Sequence, residues 1–144
     1  MQTKLTALAV GLVLIVAGAG MKLSAHHSFA AEFDANKPLT MTGKVTRMEW
    51  VNPHVWLHMD VKMPNGEVER WAFEAGTPNV LFRRGFTRQS LLPGEIIKVD
   101  GYQAKDGSEK MNGRDLTFRD GSKLFMGSSG TGAPTDGRDK TEPE

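Results

Sequence analysis

Four histidines lie in two pairs, and histidine is the residue type in this sequence best suited to bind a metal ion. The pairs are His26 with His27 and His54 with His58. Neutral imidazole is a good ligand for copper, zinc and nickel. On one continuous strand His54 and His58 would lie about 13 Å apart, whereas two ligands of one ion lie within about 4 Å of each other. Without a bulge, a copper or zinc site must therefore combine His26 or His27 with one strand histidine.

Proteolytic processing of the amino terminus would change this chemistry. If cleavage follows Ala25, His26 becomes the first residue, and its α-amino group and ring could chelate copper together with a second imidazole. That arrangement is similar to the histidine brace of copper oxygenases and copper carriers. If cleavage leaves Ala25 first, His27 becomes the third residue, as in the amino-terminal copper and nickel motif. In the structural alternative, His27 packs locally and His54 begins a strand after a proline-fixed turn.

Trp56 lies between the two strand histidines on one predicted strand face. Residues 55, 57, 59 and 61 are apolar, so His54, Trp56 and His58 fall on the opposite, outward face. The next strand adds Arg70 and Glu74 to that face. An aromatic ring beside hydrogen-bonding groups suits a sugar, a peptide or a flat organic molecule. We therefore predict a ligand-binding site made of these five residues.

Phe29 and Phe33 offer an alternative role for Trp56. They could cover its ring and complete the core, because exposed aromatic side chains usually pack against other apolar groups. Both roles are compatible if the segment that carries the two phenylalanines is a movable lid.

Catalytic templates are absent from the sequence. There is no cysteine, hence no thiol nucleophile, and no Gly-x-Ser-x-Gly, His-Glu-x-x-His, phosphate-loop or dinucleotide motif. Ser28 follows His27, yet no third group that would orient such a pair is identifiable. We therefore expect no catalytic residues and a protein that is not an enzyme.

The first 25 residues have the layout of a secretory signal peptide. Residues 1–4 form a short basic segment, residues 5–19 are apolar or small, and residues 20–25 form a segment that ends in small residues. We expect export to the periplasm, with cleavage after Ala19 or after Ala25. An uncleaved inner-membrane anchor is the alternative, since the apolar stretch is just long enough to span a bilayer.

The exported part is close to neutral, which argues against nucleic acid as a partner. Residues 26–144 hold 16 Lys and Arg against 17 Asp and Glu. Binding to a phosphate backbone depends on accumulated positive charge. The expected partners are therefore a small molecule, a metal ion or another envelope protein.

Three segments follow the signal peptide. Residues 26–38 form an N-terminal arm, residues 39–126 form a strand-rich domain, and residues 127–144 form a tail without large apolar side chains. The tail cannot bury enough surface to offset the entropy of ordering, so we expect it to be disordered.

Turn and helix signals divide the domain into elements. Strands are predicted over residues 39–50, 54–63 and 67–75, with a bulge or bend at Gly43 and a hairpin turn at Asn65-Gly66. Thr77 and Pro78 begin a helix that ends at Gly85 and buries residues 80–82. Further strands are predicted over residues 95–103, near residues 114–118 and at residues 123–126.

This element order predicts an all-β fold, a small OB-fold-like β-barrel. It would have five to six strands and one short helix between strands 3 and 4. A small β-sandwich is the alternative, because other β-rich folds can share the same pattern.

Two motifs carry a resemblance to a known family. They are His26-His27-Ser28-Phe29 and Asn52-Pro53-His54-Val55-Trp56, and further likeness runs through Trp71-Ala72-Phe73-Glu74, Arg83-Arg84-Gly85, Pro93-Gly94 and residues 101–107. Over nearly all of residues 26–126 the chain resembles a family of small exported bacterial proteins known only as a domain of unknown function. The resemblance implies export and a small β-rich domain, and it implies no activity.

Three functional hypotheses remain. The first is a periplasmic, non-catalytic ligand-binding or accessory module that uses the Trp56 face. The second is a copper- or zinc-binding protein that uses His26, His27 and either His54 or His58. The third is an interaction module of an envelope complex.

Overall fold

The computed structural model describes residues 29–127, and these residues form an all-β fold. Its elements in chain order are helix α1 (Phe29–Glu32), strand β1 (Phe33–Glu49), β2 (Trp56–Lys62), β3 (Val68–Glu74), helix α2 (Pro78–Arg83), β4 (Ile96–Ala104), β5 (Lys110–Thr117) and β6 (Lys123–Phe125). The predicted signal peptide, His26, His27 and nearly all of the predicted tail lie outside the described residues.

The strands close into a barrel-like ring. β1 pairs antiparallel with β2 on one side and with β4 on the other, β2 pairs with β3, and β4 pairs with β5. A parallel pairing of residues 72–74 with residues 110–112 joins β3 to β5 and completes the ring. The predicted all-β class, with six strands and a short helix between the third and fourth, is confirmed.

β1 pairs with β2 along one edge and with β4 along the other, so two neighbouring strands approach its middle closely. Gly43 pairs with Val61 on β2 and with Ile97 on β4. A Cβ at Gly43 would lie 2.6 Å from the Asp60 carbonyl oxygen, which is too short for any side chain. Opposite β2, the register of β1 shifts between residues 45 and 47, slightly beyond the bend expected at Gly43.

The core fills the ring with side chains from alternate strand positions. Trp71 and Phe73 of β3 are buried, as the alternation predicts, and Leu57 and Met59 of β2 face them. The other fully buried members include Val45, Val55, Leu81, Phe86, Leu91, Val99, Met111 and Leu116.

Helix α2 begins and ends as its sequence predicts. The Thr77 hydroxyl oxygen accepts a hydrogen bond from the Val80 N–H at 3.4 Å, and Pro78 occupies the first turn. After the helix Gly85 has φ of 83°, and the Phe86 N–H donates to the Leu81 carbonyl oxygen at 2.9 Å. Leu81 is buried but Phe82 is 67% exposed, so the expectation that residues 80–82 are all buried is wrong for Phe82.

The predicted arm contributes to the sheet rather than lying over Trp56. β1 begins at Phe33, six residues before the expected start, and Phe33 pairs with Ala104. Phe29 and Phe33 form a second apolar cluster with Ala104 and Tyr102, in which the Phe29 and Tyr102 ring centroids lie 5.3 Å apart. The hypothesis that these phenylalanines cover Trp56 is therefore wrong, because β4 offers them a nearer aromatic surface.

Two arginines secure the short last strand. The guanidinium carbons of Arg84 and Arg114 lie 4.8 Å and 4.7 Å from the centroid of the Phe125 ring. Arg84 also donates a hydrogen bond to the Gly127 carbonyl oxygen at 2.7 Å. These cation–π contacts attach β6 to α2 and β5.

Candidate functional site

The outer surface of β1, β2 and β3 carries most of the predicted ligand-binding residues. We call it the Trp56 face and define it by Glu49, Trp56, His58, Arg70 and Glu74. Trp56 pairs with Glu49 on one side and with Glu74 on the other, so the aromatic ring stands in a row between two carboxyl groups. Trp56 and His58 are partly buried, whereas their inward-facing neighbours are fully buried.

His58 is held by two charged residues of β1. Its Nε2 atom lies 3.5 Å from the Glu49 Oε1 and 3.5 Å from the Arg47 Nη2, and Arg47 and Glu49 form an ion pair with each other. Burial lowers the pKa of His58 below 6.5, and the positive charge of Arg47 lowers it further, while Glu49 opposes both. The ring is therefore neutral at pH 7.

Arg70 lies away from the Trp56 row. It pairs with Asp60 across β2 and β3, and its Nε atom lies 3.7 Å from the Asp60 Oδ1. The arginine side chain is 76% exposed, so this ion pair adds little stability. Arg70 can contact only a ligand that extends along the face from Trp56.

His54 is buried, contrary to its predicted place on the open face. It precedes β2 and is 8% exposed, and its Nδ1 atom lies 3.1 Å from the Ala75 carbonyl oxygen. The same atom lies 3.3 Å from the Glu74 Oε1. Alternation along the sequence assigns a residue to one face only where the chain is a regular strand. Because β2 begins at Trp56, two residues after His54, the alternation does not apply to His54.

Asn112 is a part of this region that the sequence analysis missed. It pairs with Glu74 in the parallel β3–β5 ladder, so the two side chains share the outer face. Asn112 is 4% exposed, and its Oδ1 atom is buried without a hydrogen-bond partner among the described residues. The available signal was an asparagine within a strand, where asparagine is disfavoured.

His54 and His58 have separate surroundings. His54 contacts Ala75 and Glu74, whereas His58 contacts Glu49 and Arg47. Within residues 29–127, no group of three or more His, Cys, Asp or Glu side chains is arranged to hold a metal ion. The other two predicted metal ligands, His26 and His27, lie outside the described residues.

Two grooves of the described chain lie away from the Trp56 face. One of about 520 Å³ runs over β1, β4 and β5 and is lined by residues that include Thr40, Asp100, Tyr102 and Asp115. Another of about 420 Å³ lies beside Glu95 and Phe118. No residue of the Trp56 face lines either groove.

Comparison with known proteins places the chain in a family. It matches the DUF6152 family, a family of unknown function, over residues 13–113. The chain belongs to this family. No curated protein and no solved structure was found to match it. Among the residues described for this family member, no helix is both long and apolar enough to cross a membrane.

Proposed function

We propose that this DUF6152 protein is an exported, periplasmic and non-catalytic binding or accessory module whose ligand lies on the Trp56 face. The observation that carries the proposal is the row in which Trp56 pairs with Glu49 and Glu74. An aromatic ring flanked by hydrogen-bonding groups is the usual composition of a small-molecule site. The second and third strands are also the usual ligand face of OB-like barrels.

The charges of the face favour a neutral ligand. Arg47 is paired with Glu49, and Arg70 lies near Asp60, so positive and negative groups largely balance. His58 adds no charge at pH 7, since the pKa of its ring is lowered. We infer a neutral molecule with one flat face and several hydroxyl or amide groups. It would stack on Trp56 and hydrogen-bond to the Glu49 carboxyl group, because Glu74 is buried against His54.

Export is supported by the first 25 residues, which have a basic start, an apolar core and a small-residue end. A binding role rather than catalysis is supported by the absence of cysteine and of the common nucleophile motifs from the sequence. In the alternative location, the same domain faces the periplasm from an uncleaved inner-membrane anchor.

Intact mass spectrometry of the protein purified from the periplasm tests this proposal. The denatured mass identifies the first residue, which we expect to be His26 or Gly20. The native mass of the wild-type protein should exceed the denatured mass by one retained small molecule. Trp56→Ala should lose this excess mass, and Trp56→Phe should keep part of it because the ring is retained.

Val68→Ala is the matched control. Val68 is 64% exposed on β3, so its truncation removes an apolar side chain from the same sheet without changing the Trp56 row. It should retain the molecule as the wild type does. Equal retention by Trp56→Ala, or no retained molecule in the wild type, would contradict the proposal and favour an interaction module of an envelope complex.

A further inference from the structure

We propose that the end of the ring that carries α2 binds the surface of an anionic phospholipid bilayer, with the Phe82 side chain inserted among the lipids. We call this surface the α2 end and define it by residues 50–55, 75–96 and 118–122. It shares no residue with the Trp56 face. The inference therefore goes beyond the proposed function and does not depend on it.

The strand directions and the loop contacts bring these segments together. β1, β3 and β5 end on this side of the ring and β2 and β4 begin there, because neighbouring strands along the chain pair antiparallel and β1 is also antiparallel to β4. The Val55 N–H donates to the Gly76 carbonyl oxygen at 3.1 Å, and the Arg88 Nη2 donates to the Trp50 carbonyl oxygen at 3.3 Å. The Trp50 and Phe86 ring centroids lie 6.1 Å apart. The β1–β2 loop and the α2 region therefore form one surface.

Exposed apolar side chains are concentrated at the α2 end. Five large apolar side chains are exposed among the described residues, and four of them belong to this end: Val51, Phe82, Leu92 and Ile96. Phe82 is the most exposed of the five at 67%, and it is the aromatic member of the group. The fifth, Val68, lies at the start of β3 and thus at the opposite end of the ring. An apolar surface of this kind usually marks a contact with a protein or a membrane.

Positive charge accompanies these apolar side chains. The α2 end holds four arginines against two acidic residues, whereas the other described residues hold 10 Lys and Arg against 11 Asp and Glu. Residues 75–94, which surround Phe82 in the sequence, contain three of the arginines and no Asp or Glu. Arg83 and Arg88 are both exposed. This local excess of positive charge complements an anionic lipid surface.

A bilayer fits the α2 end better than a protein partner does. The exposed apolar side chains come from separate loops, and Val51, Phe82 and Leu92 do not line the groove of about 420 Å³ at this end. A fluid interface accepts side chains at scattered points, whereas a protein partner must match the shape of a whole interface. Phe and Leu beside Arg are also the usual composition of segments that lie in the membrane interface.

Co-sedimentation with lipid vesicles tests the inference with the protein purified from the periplasm. We expect binding to mixed vesicles of phosphatidylglycerol and phosphatidylcholine, and little binding to vesicles of phosphatidylcholine alone. High salt should weaken the binding, because it screens the attraction between the arginines and the lipid. Phe82→Ala should lower the affinity about 10-fold, and Arg83→Gln should lower it about fivefold.

Val68→Ala/Lys62→Gln is the matched control for the double variant Phe82→Ala/Arg83→Gln. Lys62 pairs with Val68 at the opposite end of the ring, and both side chains are exposed. The control also removes one exposed apolar side chain and one positive charge, yet it should bind the vesicles as the wild type does. All four side chains are exposed, so both variants should fold, and thermal unfolding checks this.

Tryptophan substitution locates the contact. Phe82→Trp should keep the affinity, and its added fluorescence should be quenched by bromine atoms on the lipid chains. Val68→Trp, at the opposite end, should be quenched no more than the wild type, whose own tryptophans give the baseline. If the protein keeps a membrane anchor, the same comparison is made after reconstitution of the full-length chain into the vesicles.

Three results would overturn the inference. They are no binding to either type of vesicle, equal affinity of the wild type and Phe82→Ala/Arg83→Gln, or equal quenching in Phe82→Trp and Val68→Trp. Absent vesicle binding together with a Phe82-dependent complex with another envelope protein would favour a protein partner instead. None of these results bears on the Trp56 face, because its small molecule is detected separately by native mass.

Discussion

His58 is the residue of the Trp56 face whose charge state depends most on its neighbours. Burial and the Arg47 charge lower its pKa below 6.5, with a further small effect of Arg70, and Glu49 acts in the opposite direction. In the unfolded chain these influences are lost, so the unfolded state takes up a proton at a higher pH than the folded state does. The contribution of His58 to stability is therefore complete above about pH 6.5 and is lost as the pH falls.

We predict a pH-dependent loss of stability that His58→Gln reduces. From pH 7 to pH 5 the free energy of unfolding of the wild type should fall, because the unfolded state binds the proton more readily. Glutamine does not titrate, so the variant should lose less stability over the same interval. Urea unfolding at several pH values measures how the free energy of unfolding of each protein depends on pH. The same dependence in the wild type and in the variant would show that His58 titrates alike in the folded and unfolded states.

At the scale of secondary-structure elements, the β4–β5 pair depends on glycine where the strands approach most closely. Gly101 and Gly113 lie opposite each other, next to a register shift between residues 100 and 101. A Cβ at Gly101 would lie 2.1 Å from the Asn112 carbonyl oxygen, which is backbone. A Cβ at Gly113 would meet the Met126 side chain at 3.1 Å, and this flexible chain can move aside.

Gly101→Ala should therefore destabilise the protein far more than Gly113→Ala. We expect Gly101→Ala to lower the free energy of unfolding by about 3 kcal/mol, since the backbones of β4 and β5 must separate. Gly113→Ala is the control in the same strand pair and should cost about 1 kcal/mol or less. Chemical unfolding at neutral pH gives both values, and similar costs would disprove the close approach at Gly101.

The ring of strands has its shortest join where β3 meets β5. That parallel pairing extends over residues 72–74 and 110–112, whereas β1 and β4 pair over residues 38–44 and 96–102. Shorter ladders with less buried surface open at a lower free energy. Because Glu74 and Asn112 both belong to the short join, its opening would also disturb the surroundings of His54.

Hydrogen exchange should reveal this difference across the whole molecule. The Ala72 N–H, which donates to the Glu109 carbonyl oxygen at 3.0 Å, should exchange faster than the amides of residues 97–101. Uniform protection around the ring would contradict a preferred opening point.

The local features of the fold could be predicted because neighbouring residues create them. The Asn65-Gly66 turn, the Thr77 cap, the Gly85 helix end and the inward alternation of Trp71 and Phe73 all depend on residues only a few positions apart. The element order then favoured the barrel-like arrangement of strands. Four of the five proposed ligand residues were assigned to the correct strands for the same reason: Trp56, His58, Arg70 and Glu74.

Contacts between distant parts of the chain determined the rest. His54 is buried because its ring bonds to Ala75, 21 residues later, and Asn112 joins Glu74 only because β3 and β5 close the ring. Phe29 packs on Tyr102 rather than on Trp56 because β1 continues upstream along β4. Periodicity specifies which side of an element is apolar, but it carries no information on which two elements pack together. The residues that surround a buried polar side chain depend on that packing.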